Sequence, residues 1–256
     1  MHLALPTAGL ASYTSKSQRS GIASEEWAGE NLYCPNCKSR HIEPSPVNTP
    51  AIDFACPRCR ALFQLKAKSS AFGGSIADAA YDSMVRAIRE NRTPNLFALH
   101  YRLETWTVVN VFLIPEFAFP LSAIQKRPPL RPGTERAGWV GCNILLGAIP
   151  KDARIPIVVD GVSVPAKQVR EQYGRMRPLK TLRPEQRGWT LDVLNAVRSL
   201  NKRDFSLSEV YELDDELAAL HPANQHVRDK IRQQLQVLRD LRLLEFLGRG
   251  SYRLAH

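Results

Sequence analysis

The stretch AIDFACPRCRALFQLKAK, residues 51–68, holds an aspartate, a cysteine pair, and a glutamine and a lysine two positions apart. Asp53 offers a carboxylate and Gln64 an amide carbonyl, the hard oxygen donors that Mg2+ takes while keeping several of its waters. Lys66 offers an ammonium that can orient a water and steady charge on a scissile phosphate. Together these groups suit metal-assisted hydrolysis of a phosphodiester. The same residues are also compatible with surface positions on a zinc ribbon, because an isolated D…QxK pattern recurs by chance.

For the chemistry to operate, the three side chains must meet. Gln64 and Lys66 are two apart, so on a strand they share a face. Segments 50–55 and 61–67 have strand length and apolar character. Paired as a hairpin with the second cysteine pair in the turn, they bring Asp53 to the same place.

The cysteines supply a reason for that turn. Cys34 and Cys37 form C-P-N-C, and Cys56 and Cys59 form C-P-R-C eighteen residues later. Two C-x2-C turns at this separation match a four-thiolate zinc site. The proline after the first cysteine stiffens each turn through its fixed φ. A closed tetrathiolate site has no open position for water, so its expected role is structural: it locks the hairpin that bears the catalytic groups. Cys142 has no partner in the pattern and reads as a small buried side chain.

Around this centre the elements alternate. A partial helix is expected near Gly21–Gly29. Ser75–Arg92 reads as a helix, with Ser75 as N-cap and Ile76, Ala80, Met84 and Ile88 along one side. NLFALHY and TWTVVNVFLIP read as strands, as does RIPIVVDG, while 117–187 is otherwise proline-rich and poorly periodic. From Gly188 the character changes. GWTLDVLNAVRSL is an amphipathic helix. FSLSEVYELDDELAALHP opens on a capping box at Ser206 and Glu209 and closes at Pro222. NQHVRDKIRQQLQVLRDLRLL sets Val227, Ile231, Leu235, Leu238 and Leu241 on one face. LLEFLGRGSYRL makes two short strands about Gly-Arg-Gly, where Gly248 and Gly250 permit a tight turn. Three helices and a β-wing describe a winged helix. The expected architecture is therefore an α/β (α+β) core over 1–182 with an inserted zinc site, followed by a winged-helix domain over 183–256.

Composition narrows the partners. The chain has 256 residues, 44% hydrophobic and 23% charged, with a net charge of +10. That balance favours a polyanion, nucleic acid first, although a merely soluble basic protein shows it too. No apolar run approaches the length of a membrane span, and the N-terminus lacks the pattern of a secretory signal. The expected location is cytoplasmic.

The chain resembles a known family. The residues that carry the likeness are YCPNC at 33–37, the AIDFACPRC…FQLKAK block, RAGWVGCN at 136–143, RGWTLDVLN at 187–195, KIRQQLQVLRD and EFLGRGSYR. The N-terminal part is similar to PD-(D/E)xK nucleases. Nearly the whole chain, in the same order, resembles the DpnI-like methyl-directed restriction endonucleases. The resemblance implies a Mg2+-dependent enzyme that cuts double-stranded DNA at adenine-methylated GATC, aided in recognition by the C-terminal winged helix. It further implies that Asp53 is the acidic metal ligand, Gln64 occupies the second ligand position and Lys66 is the motif lysine. Gln64 departs from the acidic residue expected there; it keeps an oxygen donor and removes a negative charge.

Several residues are candidates for DNA contact. The methyl of N6-methyladenine is an apolar bump in the major groove, suited to an aromatic or aliphatic neighbour. Trp139, glycine-flanked and beside Arg136, could meet it from a turn, or could serve as core. Arg228, Lys230, Arg232, Gln233 and Gln236 lie on the third C-terminal helix, suited to bases and phosphates or to a solvated face. Arg249 and Arg253 on the wing suit phosphates. The alternative to an endonuclease is a catalytically inert regulator that binds methylated DNA on the same scaffold, a reading that Gln64 favours. An RNA-acting enzyme is a weaker third.

Overall fold

The computed structural model describes residues 1–46, 49 and 51–255. Val47, Asn48 and Pro50, within the expected cysteine loop and first hairpin strand, lie outside the described residues, as does His256 at the C-terminal end.

The first part of the chain is mixed α/β. Helix α1 (Lys16–Asn31) is followed by strands β1 (Glu43–Pro44), β2 (Phe54–Ala55), β3 (Leu62–Lys68) and β4 (Ser75–Ala80). Helix α2 (Tyr81–Arg89) leads to β5 (Asn95–Arg102), β6 (Thr107–Ile114), β7 (Ile124–Lys126), β8 (Gly141–Leu145), β9 (Ile155–Val159), β10 (Val162–Ser163) and helix α3 (Ala166–Met176). Among the described residues, seven strands form one sheet in the order β1-β2-β3-β5-β6-β9-β10, and β4-β8-β7 form another.

The hairpin expected around the second cysteine pair is present. β2 and β3 pair antiparallel, Phe54 opposite Phe63 and Ala55 opposite Leu62. Cys56 and Cys59 make the turn, where the Cys56 amide donates to Ala61 O and the Arg60 amide donates to Cys56 O. β3 pairs parallel with β5 on its other side, so β4 and α2 together make the crossover that a parallel pair requires. The apolar run Leu96–Leu99 of β5 is buried, as a strand covered on both faces must be. α1 lies over β3, with Ala23, Trp27 and Ala28 buried, and the Trp27 indole N–H donates to His2 O.

One expected element changes identity. Ser75–Ala80 is strand β4, not the start of a helix, and Ser75 caps nothing; the helix begins at Tyr81. A spacing of four fits either a helix or a strand, since it is also a multiple of two. Long-range pairing decides the outcome: Ile76 lies opposite Ile144 and Asp78 opposite Cys142. The proline-rich stretch also contains more structure than its pattern suggests, namely β7, β8 and α3. Cys142 is buried, and its thiol faces Ala79 O at 3.3 Å.

From Pro184 the chain forms α4 (Pro184–Ser199), β11 (Asp204–Ser206), α5 (Leu207–Tyr211), α6 (Asp214–Leu220), α7 (Val227–Asp240), β12 (Leu244–Gly248) and β13 (Ser251–Leu254). The strands form a sheet in the order β11-β13-β12. The expected second helix is split into α5 and α6, and β11 precedes it. The wing turn holds Gly248, Arg249 and Gly250 at φ of 97°, 48° and 76°, a conformation that glycine adopts without the Cβ penalty. α7 packs on α4 through Ile231, Leu235 and Leu238. Within that contact the Thr190 hydroxyl lies 2.8 Å from the buried Gln234 side-chain carbonyl as well as from Gln186 O, which gives the buried Gln234 oxygen a donor.

The capping box at Ser206 and Glu209 is complete. Hydrogen bonds from Lys202, then from the Ser206 amide and hydroxyl, hold the Glu209 carboxyl down to about 2 from its ordinary 4.5. A depressed carboxylate contributes stability above its ordinary value and loses it as pH falls toward the folded value. We therefore expect Glu209→Gln to lower the thermal midpoint at neutral pH. The gap from the unmodified chain should close as pH falls from about 4.5 to about 2. A pH-independent gap would show that the carboxylate's charge has no part in it.

Candidate active site and cysteine cluster

The four clustered cysteines come together as their spacing requires. Their sulfurs all lie within 4.8 Å of one another. Cys34 Sγ is 3.5 Å from Cys59 Sγ, and Cys37 Sγ is 3.6 Å from Cys56 Sγ. A tetrahedral ion with Zn–S of about 2.3 Å sets sulfurs about 3.8 Å apart, so the thiols fit such an ion. None is in a disulfide. Burial opposes ionisation of the Cys56 thiol, but the backbone N–H groups of Cys59 and Arg58 bring it down to about 7. N–H donors also meet other sulfurs, from the Ser39 amide to Cys37 Sγ and from Asn36 Nδ2 to Cys59 Sγ. Such bonds favour thiolates.

Arg170 on α3 holds the cluster from outside. Its Nε donates to Cys34 O and Cys37 O, its Nη2 donates to Ser39 O at 2.9 Å, and its guanidinium lies 4.9 Å from the centre of the Tyr33 ring. No local motif points to this residue, because its partners are backbone carbonyls more than a hundred positions away.

The chemistry-bearing face lies next to the cluster on the same hairpin. The Asp53 amide donates to Phe63 O at 2.9 Å, and Asp53 Oδ2 accepts from the Leu65 amide at 2.6 Å. The side chain thus takes over where the β2–β3 ladder ends. Its carboxylate is fixed on the amide of Leu65, the residue between Gln64 and Lys66. Those two side chains do converge: Gln64 Nε2 donates to Asp78 Oδ1 at 3.1 Å, and Lys66 Nζ is 2.8 Å from the same oxygen. The Lys66 side chain is 30% exposed and that of Asp78 is 3% exposed.

Asp78 comes from β4 and was not among the candidates. The signal was its alternation with Ile76, hidden by reading the segment as helix. Glu25 on α1 is a third acid near these groups. Partial burial, and then the Asp53 charge, raise its carboxyl above the ordinary range. A cavity of about 210 Å3 opens beside these groups and is lined in part by Ile52, Gln64, Asp78 and Arg92. A wider cleft of about 720 Å3, between α2 and α4, reaches none of them. Size is therefore a poor guide to the site, and the side-chain chemistry takes precedence. Carboxylate and amide oxygens on this face fit a hard divalent cation.

The DNA-contact candidates fall into two places. Trp139 and Arg136 lie on the loop between β7 and β8, with the Arg136 guanidinium 4.5 Å from the indole centre. The half-buried indole rests on Gly141, where a Cβ would come within 2.6 Å of the ring. The loop's root is in register with the site, since Cys142 pairs with Asp78 and Gly141 with Ala80. On α7, Arg232, Gln233 and Gln236 are exposed and Lys230 is half-buried. Arg228 is exposed but engaged: its Nε donates to Asp214 at 2.6 Å, and it stacks on Tyr211. Arg249 is exposed at the wing tip. Arg253 makes a two-bond pair with Asp204, both at 2.7 Å, across the β11–β13 ladder. No helix among the described residues is long and apolar enough to cross a membrane.

Two family models match the chain. That of the Dam-replacing family (DpnI) matches residues 1–182, and that of the Dam-replacing HTH domain matches residues 185–254. The chain therefore belongs to the Dam-replacing family and carries that family's HTH domain behind its mixed α/β part.

Proposed function

We propose that the chain is a Mg2+-dependent, methylation-directed restriction endonuclease that cuts double-stranded DNA at GATC bearing N6-methyladenine. Its PD-(D/E)xK-type core spans 1–182 and its winged-helix domain 183–256. The observation that carries this reading is the convergence of Gln64 and Lys66 on one oxygen of Asp78, with the Asp53 carboxylate held on the Leu65 amide of the same strand, in a chain of the Dam-replacing family.

In this reading Asp53 and Gln64 hold the cation, which when bound supplies Lewis acidity toward the scissile phosphate and its attacking water. Lys66 orients that water and offsets charge developing on the phosphate. The hairpin keeps these groups in fixed register, so little reorganisation is needed at the moment of reaction. The cysteine cluster holds structural Zn2+ and keeps the hairpin turn closed. Trp139 and Arg136 meet the methylated base and its strand. Lys230, Arg232, Gln233 and Gln236 of α7 enter the groove, and Arg228, Arg249 and Arg253 serve the phosphates or support those that do. Family membership and the HTH domain support the DNA partner. The second reading, an inert binder of methylated DNA, rests on Gln64, which offers the cation no charge.

Plasmid DNA carrying methylated or unmethylated GATC separates the two readings. With Mg2+, the chain is expected to cut the methylated form and spare the other. Lys66→Ala should cut about 10²–10⁴-fold more slowly and still bind the duplex. Binding by the unmodified chain without cutting, in Mg2+ or Mn2+, selects the inert reading. At the wing, Arg249→Ala should weaken binding to all duplexes alike and reduce the salt dependence by about one charge; a loss confined to one sequence contradicts a phosphate role. Elemental analysis is expected to find one zinc per chain. Its removal by a strong chelator should expose the hairpin to protease and abolish cutting, whereas a zinc-free chain that cuts normally contradicts the structural role.

A further inference from the structure

The proposed cation site lacks a charge. Asp53 is the single anion that the motif supplies, Gln64 is neutral, and Lys66 brings a positive charge to the same row. One carboxylate beside one ammonium leaves no net negative charge to attract a dication, and affinity for hard cations rises with the number of charged ligands. A working site of this kind needs a further carboxylate, and two acids lie near: Glu25 on α1, within reach of the Asp53 charge, and Asp78 on β4, which contacts both Gln64 and Lys66.

Asp78 is placed to provide it. It reaches the β3 face from β4, a strand of the other sheet. Its Oδ1 already receives two donors, the Gln64 amide and the Lys66 ammonium. Its Oδ2 accepts no hydrogen bond from the described residues. With Gln64 Nε2 committed to Asp78, the free end of that amide is its carbonyl oxygen, the end a cation needs. The cavity of about 210 Å3 is lined in part by both Gln64 and Asp78, and by Ile52, the sequence neighbour of Asp53.

We propose that Asp78 is a direct ligand of the divalent cation, supplying from β4 the negative charge that Gln64 does not. This rests on the nuclease reading for the site's purpose, though not for the binding it describes. The same contacts give Asp78 a second effect, because they hold Lys66 and the Gln64 amide in their working orientation.

The test is Mn2+ binding to the full chain without DNA, followed by electron paramagnetic resonance and calorimetry. Asp78→Asn should weaken Mn2+ binding by at least about tenfold. Gln64→Glu should tighten it, and the double variant Asp78→Asn/Gln64→Glu should recover most of what Asp78→Asn loses. Melting curves establish that each variant is folded. Where Asp78→Asn fails to fold, the unmodified chain answers instead: Fe2+ with ascorbate and peroxide should nick the backbone beside Asp78 as well as beside Asp53 and Gln64. Unchanged Mn2+ affinity in a folded Asp78→Asn, or nicking that spares the Asp78 region, overturns the proposal. An unmodified chain that binds Mn2+ through Asp78 yet cuts no DNA supports the ligand assignment and refutes the nuclease reading.

Discussion

A four-residue turn closed by thiols fixes the geometry on which the rest of the molecule depends. Cys56 and Cys59 bracket the turn between β2 and β3, and Cys34 and Cys37 arrive just after α1. Drawing the four sulfurs within 4.8 Å joins the end of α1 to the hairpin, and Arg170 ties the same loop to α3 through three carbonyls. The hairpin is short, with two ladder pairs between β2 and β3, and so few pairs cannot set register alone. With the turn clamped, Asp53 falls where its carboxylate caps the Leu65 amide, and side-chain alternation places Gln64 and Lys66 on either side of that peptide. A slip of one residue would turn both to the opposite face.

The two parts of the chain meet through a compact polar chain. Ser122, in the turn Leu121–Ala123, donates to Asp192 Oδ1 on α4 at 2.5 Å, and His221 Nε2 lies 2.8 Å from Asp192 Oδ2. The His221 ring stacks on Trp189 at 3.6 Å. These residue types resemble a nucleophilic triad, but their order does not, because the acid stands in the middle and the serine never reaches the imidazole. Their effect is mechanical: a buried acid with partners on both sides joins α4 to the first part of the chain. α4 also carries Thr190, the partner of Gln234 on α7, so one helix contacts both the first part of the chain and the last helix of the HTH domain.

Much of this was legible in the residues. The cysteine spacing, the hairpin, the shared face of Gln64 and Lys66, the capping box and the wing turn are local, and local chemistry writes them plainly. What was hidden depends on partners far away in the chain. Ser75–Ala80 has a spacing that suits helix and strand alike, and pairing with Gly141–Leu145 settles it. Only that pairing brings Asp78 to the Gln64 and Lys66 side chains. The Pro-rich stretch concealed β7, β8 and α3 because each is held by register or packing rather than by periodicity. Arg170 and Glu25 escaped notice for the same reason: each acts on a group set beside it by the fold alone.

On the reading proposed above, the β3 face binds a divalent cation through Asp53 and Gln64 beside Lys66. Anomalous diffraction from crystals of the unmodified chain soaked in Mn2+ tests it most directly. An ordered Mn2+ peak is expected within about 2.0–2.6 Å of oxygens from both residues, in addition to a zinc peak at the cysteines. Crystals with the zinc in place and Mn2+ ordered only elsewhere, or nowhere, would contradict it.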